Sequence, residues 1–263
     1  MTELARRRLA AAAAGLAVTG LLAAGCGDDG STSSAQGGKG STTTTQPVID
    51  PGDGGHYDPH IDPADFVATV DNPLWPLKPG TAYRYEGTRG TTRQRDDEVV
   101  THQTRQILGI DATVVRDTVS QHGHPIERTL DFYAQDKQGN VWYLGEYSFE
   151  LRNGRFVRAS DSWRSGVDGA EPGIIMPAHP RPGDRYRQEY YPPGEALDEA
   201  HVLGTRGPVT VPYGRFRQVL VTSERSPLEP QTEHKYYAPG VGEIAERVVK
   251  GHHEEFKLVR VTH

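Results

Sequence analysis

About a dozen strand-like runs follow one another along residues 82–262, and the segments between them are short. The runs are rich in Val, Tyr, Phe and Thr, which favour extended backbone. Such short connections leave no room for crossover helices, so neighbouring strands must pair antiparallel. One connection, Asn153-Gly154, is a favoured two-residue hairpin turn. The chain therefore predicts a mainly β domain.

A sheet with this many strands curls instead of staying flat. We therefore predict a single domain, residues 56–263, built on a strongly curved antiparallel sheet or open barrel with one or two short helices. One helix would begin after Asp62, a good N-cap that is followed by Pro63 at the first helical position. Another would lie near Glu195–Leu203.

Polarity alternates along the run Arg128–Ala134. Successive side chains of a strand point to opposite faces, so this run has one apolar face and one polar face. Such a strand belongs to a sheet with a dry side and a wet or ligand-lined side. The two faces are Leu130, Phe132 and Ala134 against Thr129, Asp131 and Tyr133.

The N-terminal residues have a different pattern. Three arginines, Arg6–Arg8, precede an apolar run, Leu9–Leu22, which is within the range of signal peptides and short for a bilayer span. Small residues then lead to Cys26, the single cysteine of the chain. A single cysteine excludes an intramolecular disulfide, and it excludes a thiol nucleophile or a cysteine zinc site within the domain.

The stretch Leu21–Cys26 resembles the lipobox of bacterial lipoproteins. In that family the cysteine thiol receives diacylglycerol, and the chain is cut just before the cysteine. Ala23 stands where the family usually has Leu. The resemblance implies a signal peptide over residues 1–25, a palmitate-bearing lipid anchor on Cys26 and an extracytoplasmic location at the cell membrane. The arginine run does not decide between Sec and Tat export.

Residues 26–55 consist mostly of Gly, Ser, Thr, Asp and Gln. Such a composition cannot bury enough apolar surface to offset the entropy of ordering, so we expect a disordered stalk. Its root-mean-square reach would be on the order of 30 Å.

Four stretches of the domain resemble a bacterial family of secreted or lipid-anchored proteins without an established activity. The resemblance covers most of residues 65–262, and the high Ala, Arg and Gly content resembles that of actinobacterial proteins. The last stretch is also loosely similar to one in envelope proteins with curved antiparallel sheets, including relatives of the lipoprotein-carrier fold. The stretches are Asn72–Leu77, Asp131–Asp136, Gly139–Tyr143 and Tyr237–Gly242.

Acidic residues near aromatic strands are the main candidates for a ligand-binding site. Carboxylates beside aromatic rings suit sugar binding, a pair of them can cleave a glycosidic bond, and several can coordinate calcium. Polar strand faces also carry carboxylates routinely, so no catalytic residue is assigned. The candidates are Trp142, Trp163, Tyr190, Asp131, Glu146, Asp168 and Glu189.

Two histidine pairs, His122 with His124 and His252 with His253, fall at predicted hairpin tips. Two imidazoles can bind copper or zinc weakly, but a functional site needs a third ligand from elsewhere. We therefore predict no metal site and no cofactor. The net charge of −6 argues against nucleic acid as a partner and against broad adhesion to anionic lipid headgroups.

These observations favour a non-catalytic, lipid-anchored protein that binds a lipid, glycan or other amphiphile in the hollow of its sheet. Two alternatives stay open. A carboxylate-dependent hydrolase of the cell envelope would need two carboxylates about 5–10 Å apart in a cleft. A structural or interaction module would have a filled core and an exposed apolar patch. The ligand and the oligomeric state are not determined by the residues.

Overall fold

The computed structural model describes residues 57–263. The predicted signal peptide (1–25), the lipidation of Cys26 and the predicted stalk (26–55) lie outside the described residues. Residues 57–263 form eighteen strands and two single-turn 3-10 helices, Pro63–Asp65 and Pro192–Gly194. No helix in this part of the chain is long and apolar enough to cross a membrane.

The strands are β1 (Phe66–Val67), β2 (Ala82–Arg89), β3 (Thr92–Ile107), β4 (Ile110–Gln121), β5 (His124–Asp136), β6 (Val141–Arg152), β7 (Arg155–Arg158), β8 (Trp163–Arg164), β9 (Glu171–Met176), β10 (Arg185–Arg187), β11 (Glu189–Tyr190), β12 (Glu199–Arg206), β13 (Val209–Val211), β14 (Gly214–Phe216), β15 (Val219–Arg225), β16 (Thr232–Ala238), β17 (Gly242–Lys250) and β18 (Glu254–Thr262).

Most of these strands belong to one antiparallel sheet with the order β10-β12-β15-β16-β17-β18-β2-β3-β4-β5-β6-β9-β11. Strand β1 pairs with β5, strands β7 and β8 pair with β6, and β13 and β14 form a separate hairpin. The predicted hairpin turn at Asn153-Gly154 joins β6 to β7, and both residues adopt the positive φ that it requires, 51° and 77°. The prediction of a mainly β single domain on a strongly curved antiparallel sheet is confirmed.

The two ends of the sheet are consecutive parts of one chain segment. Strand β10 pairs with β12, β11 pairs with β9, and only Gln188 separates β10 from β11. The backbone amides of Gln188 and Glu189 both donate to the carbonyl of Asp198, at 2.7 and 3.2 Å. The sheet thus bends round into a nearly closed barrel, which has an interior and an exterior face.

The interior face carries the polar side chains of β5. Asp131 lies opposite Val115 of β4 and Glu146 of β6, and all three line a cavity inside the barrel. On the other face of β5, the ring of Phe132 packs edge-on against Tyr147 with 5.2 Å between ring centroids. The predicted division of this strand into a polar and an apolar face is confirmed, and the polar face is the one turned inward.

The helix predicted near Glu195–Leu203 is wrong. Residues Glu199–Arg206 form β12, and its alternate residues Ala200 and Val202 are buried. Pairing with both β10 and β15 satisfies the backbone of this segment on its two sides, which overrides its local preference for helix. At the predicted first helix, Asp62 does cap a turn, since its Oδ1 accepts from the amide of Ala64 at 2.9 Å, but the turn is a single 3-10 turn.

The seam that closes the barrel depends on Gly173 of β9. A Cβ atom at this position would lie 2.1 Å from the carbonyl oxygen of Gln188. We expect Gly173→Ala to lower the free energy of unfolding by roughly 1–3 kcal/mol, because the backbone on both sides of the seam must shift. Gly214→Ala is the matched control, since its Cβ would meet only the Phe216 ring at 3.7 Å. Equal stability of the two variants in denaturant unfolding would contradict this role of the seam.

Candidate functional site

Carboxylates crowd the interior of the barrel around a cavity of about 60 Å³. A space of this size holds on the order of a few water molecules or an ion with its waters. The rest of the lining includes the aromatic side chains Trp75 and Tyr133. The charged lining residues are Glu98, Asp117, Glu127, Asp131, Glu146, Glu243 and Lys235.

The tightest acidic group combines Asp96 and Glu98 of β3 with Asp117 of β4. Glu98 and Asp117 are register partners, and Asp96 shares their face because it lies two residues before Glu98. One carboxylate oxygen from each residue lies within 4.8 Å of the other two. Strand pairing therefore forces three like charges together, which is unfavourable without a proton or a cation among them.

The electrostatics of Asp117 reflect this crowding. Burial raises the pKa of Asp117 well above its ordinary value, and the charge of Asp96 and a hydrogen bond with it raise the pKa further. Glu98 and Asp131 add to the shift. The Asp117 carboxyl therefore keeps a proton at pH values where an exposed aspartate has lost it.

Tyr133 turns a phenol hydroxyl to the same cavity. Its side chain is only 5% exposed, and its ring stacks on Tyr143 with 4.8 Å between centroids. Burial raises the pKa of Tyr133 well above its ordinary value, with further contributions from the charges of Asp131, Glu98 and Asp117. Within residues 57–263 the Tyr133 hydroxyl makes no hydrogen bond, so it is free to coordinate or to hold a bound water.

Four of the seven predicted site residues lie in one neighbourhood around Tyr143. The Tyr143 hydroxyl donates to Oδ1 of Asp131 at 2.7 Å, and the Trp163 ring meets the Tyr143 ring edge-on at 5.4 Å. Glu146 is the register partner of both Asp131 and Trp163. Burial and then the charge of Asp131 raise the pKa of Tyr143 well above its ordinary value, and Glu189 of β11 adds to the shift.

The other three predicted site residues lie elsewhere. Trp142 points to the opposite face of β6, where its indole Nε1 donates to Oδ2 of Asp136 at 2.9 Å. The Tyr190 ring packs against Tyr57 with 5.2 Å between centroids. Asp168 is exposed in the turn between β8 and β9. Trp142 and Tyr190 directly neighbour inward-facing residues in their strands, and alternation turns them away from the cavity.

Among the charged residues that line the cavity, Lys235 of β16 is the positively charged one, and its side chain is 2% exposed. Its Nζ lies 3.5 Å from Glu224, 3.9 Å from Glu246 and 4.0 Å from Glu243. Burial alone would lower the pKa of Lys235, but the charges of these carboxylates outweigh burial and raise it. Lys235 is therefore a fixed positive charge that neutralises one side of the interior.

Sequence reasoning missed Asp96, Glu98, Asp117 and Lys235. Alternation from Gln94 onward could have placed Asp96 and Glu98 on one face. It could not have joined them to Asp117, because that contact depends on the register between β3 and β4.

The two histidine pairs occupy hairpin tips, as predicted. His122 lies in the turn between β4 and β5, and His252 and His253 lie in the turn between β17 and β18. Across residues 57–263, the one group of three or more metal-ligating side chains within reach of each other is the Asp96, Glu98 and Asp117 cluster. Neither histidine pair thus gains a third ligand from this part of the chain.

No protein family and no curated protein matches the chain. Two solved structures align with it. A protein of Bacteroides fragilis, described as exported and as having a YmcC-like fold, is 14% identical, with 72% of this chain and 99% of that chain covered and a TM-score of 0.38. A protein of Parabacteroides distasonis, described as a lipoprotein, is 15% identical, with 72% and 98% covered and a TM-score of 0.34. Neither points to an actinobacterial source or to the lipoprotein-carrier fold, and similarity this distant carries no functional conclusion.

We expect Asp117→Asn to stabilise the protein in the presence of a chelator, and increasingly so as the pH rises. Because the pKa of Asp117 is raised in the folded state, the folded protein binds the extra proton, and its free energy of unfolding falls as the pH rises through that pKa. The asparagine side chain does not titrate, so the variant does not lose this stability as the pH rises. We expect its melting temperature at pH 8 to be roughly 2–4 °C above that of wild type.

The matched control is Asp111→Asn, since Asp111 is an exposed residue near the start of the same strand. Thermal melts of wild type and both variants at pH 5 and pH 8 make the comparison. If the gain in melting temperature of Asp117→Asn is no larger at pH 8 than at pH 5, charge repulsion in the cluster does not destabilise the folded protein.

Proposed function

We propose that this chain is a lipid-anchored extracytoplasmic protein whose barrel interior binds a hard divalent cation, with Ca²⁺ as the best fit. The observation that carries the proposal is the group of Asp96, Glu98 and Asp117, whose oxygens lie within 4.8 Å of one another. Carboxylates are the preferred protein ligands of Ca²⁺ and Mg²⁺. The sequence predicted no metal site, because the spacing of these three residues along the chain does not match a known metal-binding motif.

The rigidity of the group favours the larger ion. Ca²⁺ accepts about six to eight oxygen ligands in flexible geometry, whereas Mg²⁺ demands a near-ideal octahedron and keeps several waters. Side chains that the pairing of β3 with β4 holds in place meet the looser requirement more easily. Asp131 and the hydroxyl of Tyr133 offer further oxygens on the wall of the same cavity.

A bound cation would also relieve the electrostatic cost of the interior. Buried carboxylates are unfavourable unless they are protonated, paired or bound to a metal. Lys235 pairs with Glu224, Glu243 and Glu246 on one side. Lys235 reaches the wall of the same cavity as Glu98 and Asp117. A divalent cation among Asp96, Glu98 and Asp117 would add positive charge directly between these three carboxylates.

An amphiphile is the ligand that the sequence favoured, and it is retained as a second candidate at a different place. Pockets for such ligands measure about 300–1,000 Å³ and are mostly apolar, whereas the interior cavity measures about 60 Å³ and has six carboxylates in its lining. A hollow of about 260 Å³ on the opposite face of β16 is lined in part by Val209, Val211, Tyr236 and Ala245. An amphiphile would bind there.

A hydrolase would use Asp131 and Glu146, which face each other across β5 and β6. The cavity that they line together with Glu98 and Asp117 measures about 60 Å³, which is room for a few waters and too little for a sugar ring. We therefore propose a binding protein rather than a hydrolase. Hydrolysis of a glycan by this protein would contradict that proposal.

The cation proposal is tested by calorimetric titration of Ca²⁺ into chelator-treated protein at pH 8. We expect one tight site in wild type and at least a roughly tenfold weaker site in Asp96→Asn, because loss of even an outer-shell partner costs about 10–100-fold. Asp111→Asn is the control and should bind as wild type. Absence of Ca²⁺ binding in wild type, or equal affinity in Asp96→Asn, would reject the site.

Native mass spectrometry of the protein purified from its own host separates the two ligand classes. We expect a bound mass equal to one Ca²⁺ ion that disappears in the Asp96→Asn variant. A bound mass in the range of a lipid or glycolipid, unchanged by Asp96→Asn, would favour the amphiphile instead.

The anchor is tested by Cys26→Ser in the bacterial host. The thiol of Cys26 is the atom that the resemblance to lipoproteins assigns to acylation, so the variant should lose fatty-acid label and keep an uncleaved N-terminus. Metabolic labelling with an alkynyl fatty acid, followed by intact-mass measurement, reads both properties. Label that persists in Cys26→Ser would contradict the anchor.

A further inference from the structure

The exterior of strands β4–β7 carries a cluster of arginines on aromatic rings, which we call the arginine face. In register order, Arg116 of β4 lies beside Leu130 and Tyr147, and Thr118 lies beside Arg128, Phe149 and Arg158. Arg105 of β3 reaches the same area. The arginine face comprises Arg105, Arg116, Arg128 and Arg158 with Tyr147 and Phe156.

Aromatic rings hold three of these four guanidinium groups in place, those of Arg105, Arg128 and Arg158. The guanidinium carbons of Arg105 and Arg158 lie 4.6 and 4.4 Å from the centroid of the Tyr147 ring. Arg105 also donates to the Tyr147 hydroxyl at 3.0 Å, and Arg128 lies 4.3 Å from the centroid of Phe156. Because stacking fixes the planar groups, less conformational entropy is lost when they bind an anion.

In the part of the chain that the structure describes, no carboxylate pairs with these four arginines. Asp117, Glu127 and Glu146 of the same strands are on the interior face, as their register partners show. The outward acid of the adjacent β3, Asp97, is already bound to Arg84 at 2.6 Å and to Arg95 at 2.8 Å. Within residues 57–263, none of the four arginines of the face forms an ion pair.

We propose that the arginine face docks onto an anionic phospholipid surface, that of the membrane to which the lipid anchor proposed above would attach the chain. Guanidinium groups bind phosphate oxygens in two-pronged geometry, and basic residues near a bilayer are attracted by its negative surface potential. Half-buried Tyr147 and Phe156 add aromatic rings of the kind that favour the bilayer interface.

The length of chain before Tyr57 is compatible with this docking. About 30 residues separate Cys26 from Tyr57. If they form the stalk that composition predicts, their reach is on the order of 30 Å, so the domain stays close to the bilayer. The net charge of −6 argues against adhesion by the whole surface, but the acids that give this value include those sealed inside the barrel. The docking does not depend on cation binding in the interior.

The test uses the mature chain, residues 26–263, with Cys26→Ser so that acyl chains do not contribute. Its partition is measured by sedimentation with vesicles of phosphatidylcholine alone and with equimolar phosphatidylglycerol. We expect binding only to the anionic vesicles, and we expect Arg128→Gln with Arg158→Gln to weaken it by about 30-fold, since each basic residue contributes about fivefold.

The matched control is Arg215→Gln with Arg217→Gln, which removes the same charge from two exposed arginines at the β13–β14 hairpin. This control should bind as wild type, and circular dichroism should show the same fold in both double variants. Three results would overturn the proposal: no binding of the mature chain to anionic vesicles, equal losses in both double variants, or binding to a soluble polyphosphate without binding to vesicles.

Discussion

The segment 185–190 pairs with both ends of the sheet, and this closure controls everything else in the domain. Strand β10 pairs with β12, strand β11 pairs with β9, and the amide of Gln188, which joins β10 to β11, donates to the carbonyl of Asp198. Once the sheet is closed, every strand has one set of side chains in a confined space and another set outside. Carboxylates on the inner set lose most of their contact with bulk water, which is why burial is the largest cause of the raised pKa values of Asp117 and Tyr133.

Closure also separates the charges of the chain. Acids collect inside, where Lys235 lines the same cavity as Glu98 and Asp117 and pairs with Glu224, Glu243 and Glu246. Arginines collect outside, where Arg128 and Arg158 stack on aromatic rings and form no ion pair with any residue of 57–263. The net charge of −6 therefore conceals two regions of opposite sign, the acidic interior and the arginine face. The inner region suits a small hard cation, and the outer region suits phosphate groups.

The site could be predicted only in part. Asp131, Glu146, Trp163 and Glu189 could be named as candidates, because acids beside aromatic residues in strands are visible without knowing which strands pair. Of these four, Asp131 and Glu146 line the cavity. Asp96, Glu98 and Asp117 were missed, because their proximity comes from the pairing of β3 with β4. Trp142 was included as an aromatic residue close to acidic residues in the predicted strands, but its indole donates to Asp136 on the face of β6 away from the cavity. The helix near Glu195–Leu203 was wrong for a related reason: β12 is a strand because two neighbours pair with it.

The sequence by itself determined the antiparallel β class, because short connections permit no other pairing. It also determined the two faces of β5, because alternation is a property of the extended backbone, and the single cysteine at position 26. Only the tertiary structure decided which face became the interior. An alternating strand can curl toward either side, and the choice here follows from closure through residues 185–190. Closure turned the face of Asp131 inward and left the face of Arg128 outside, since the two differ by an odd number of positions in one strand.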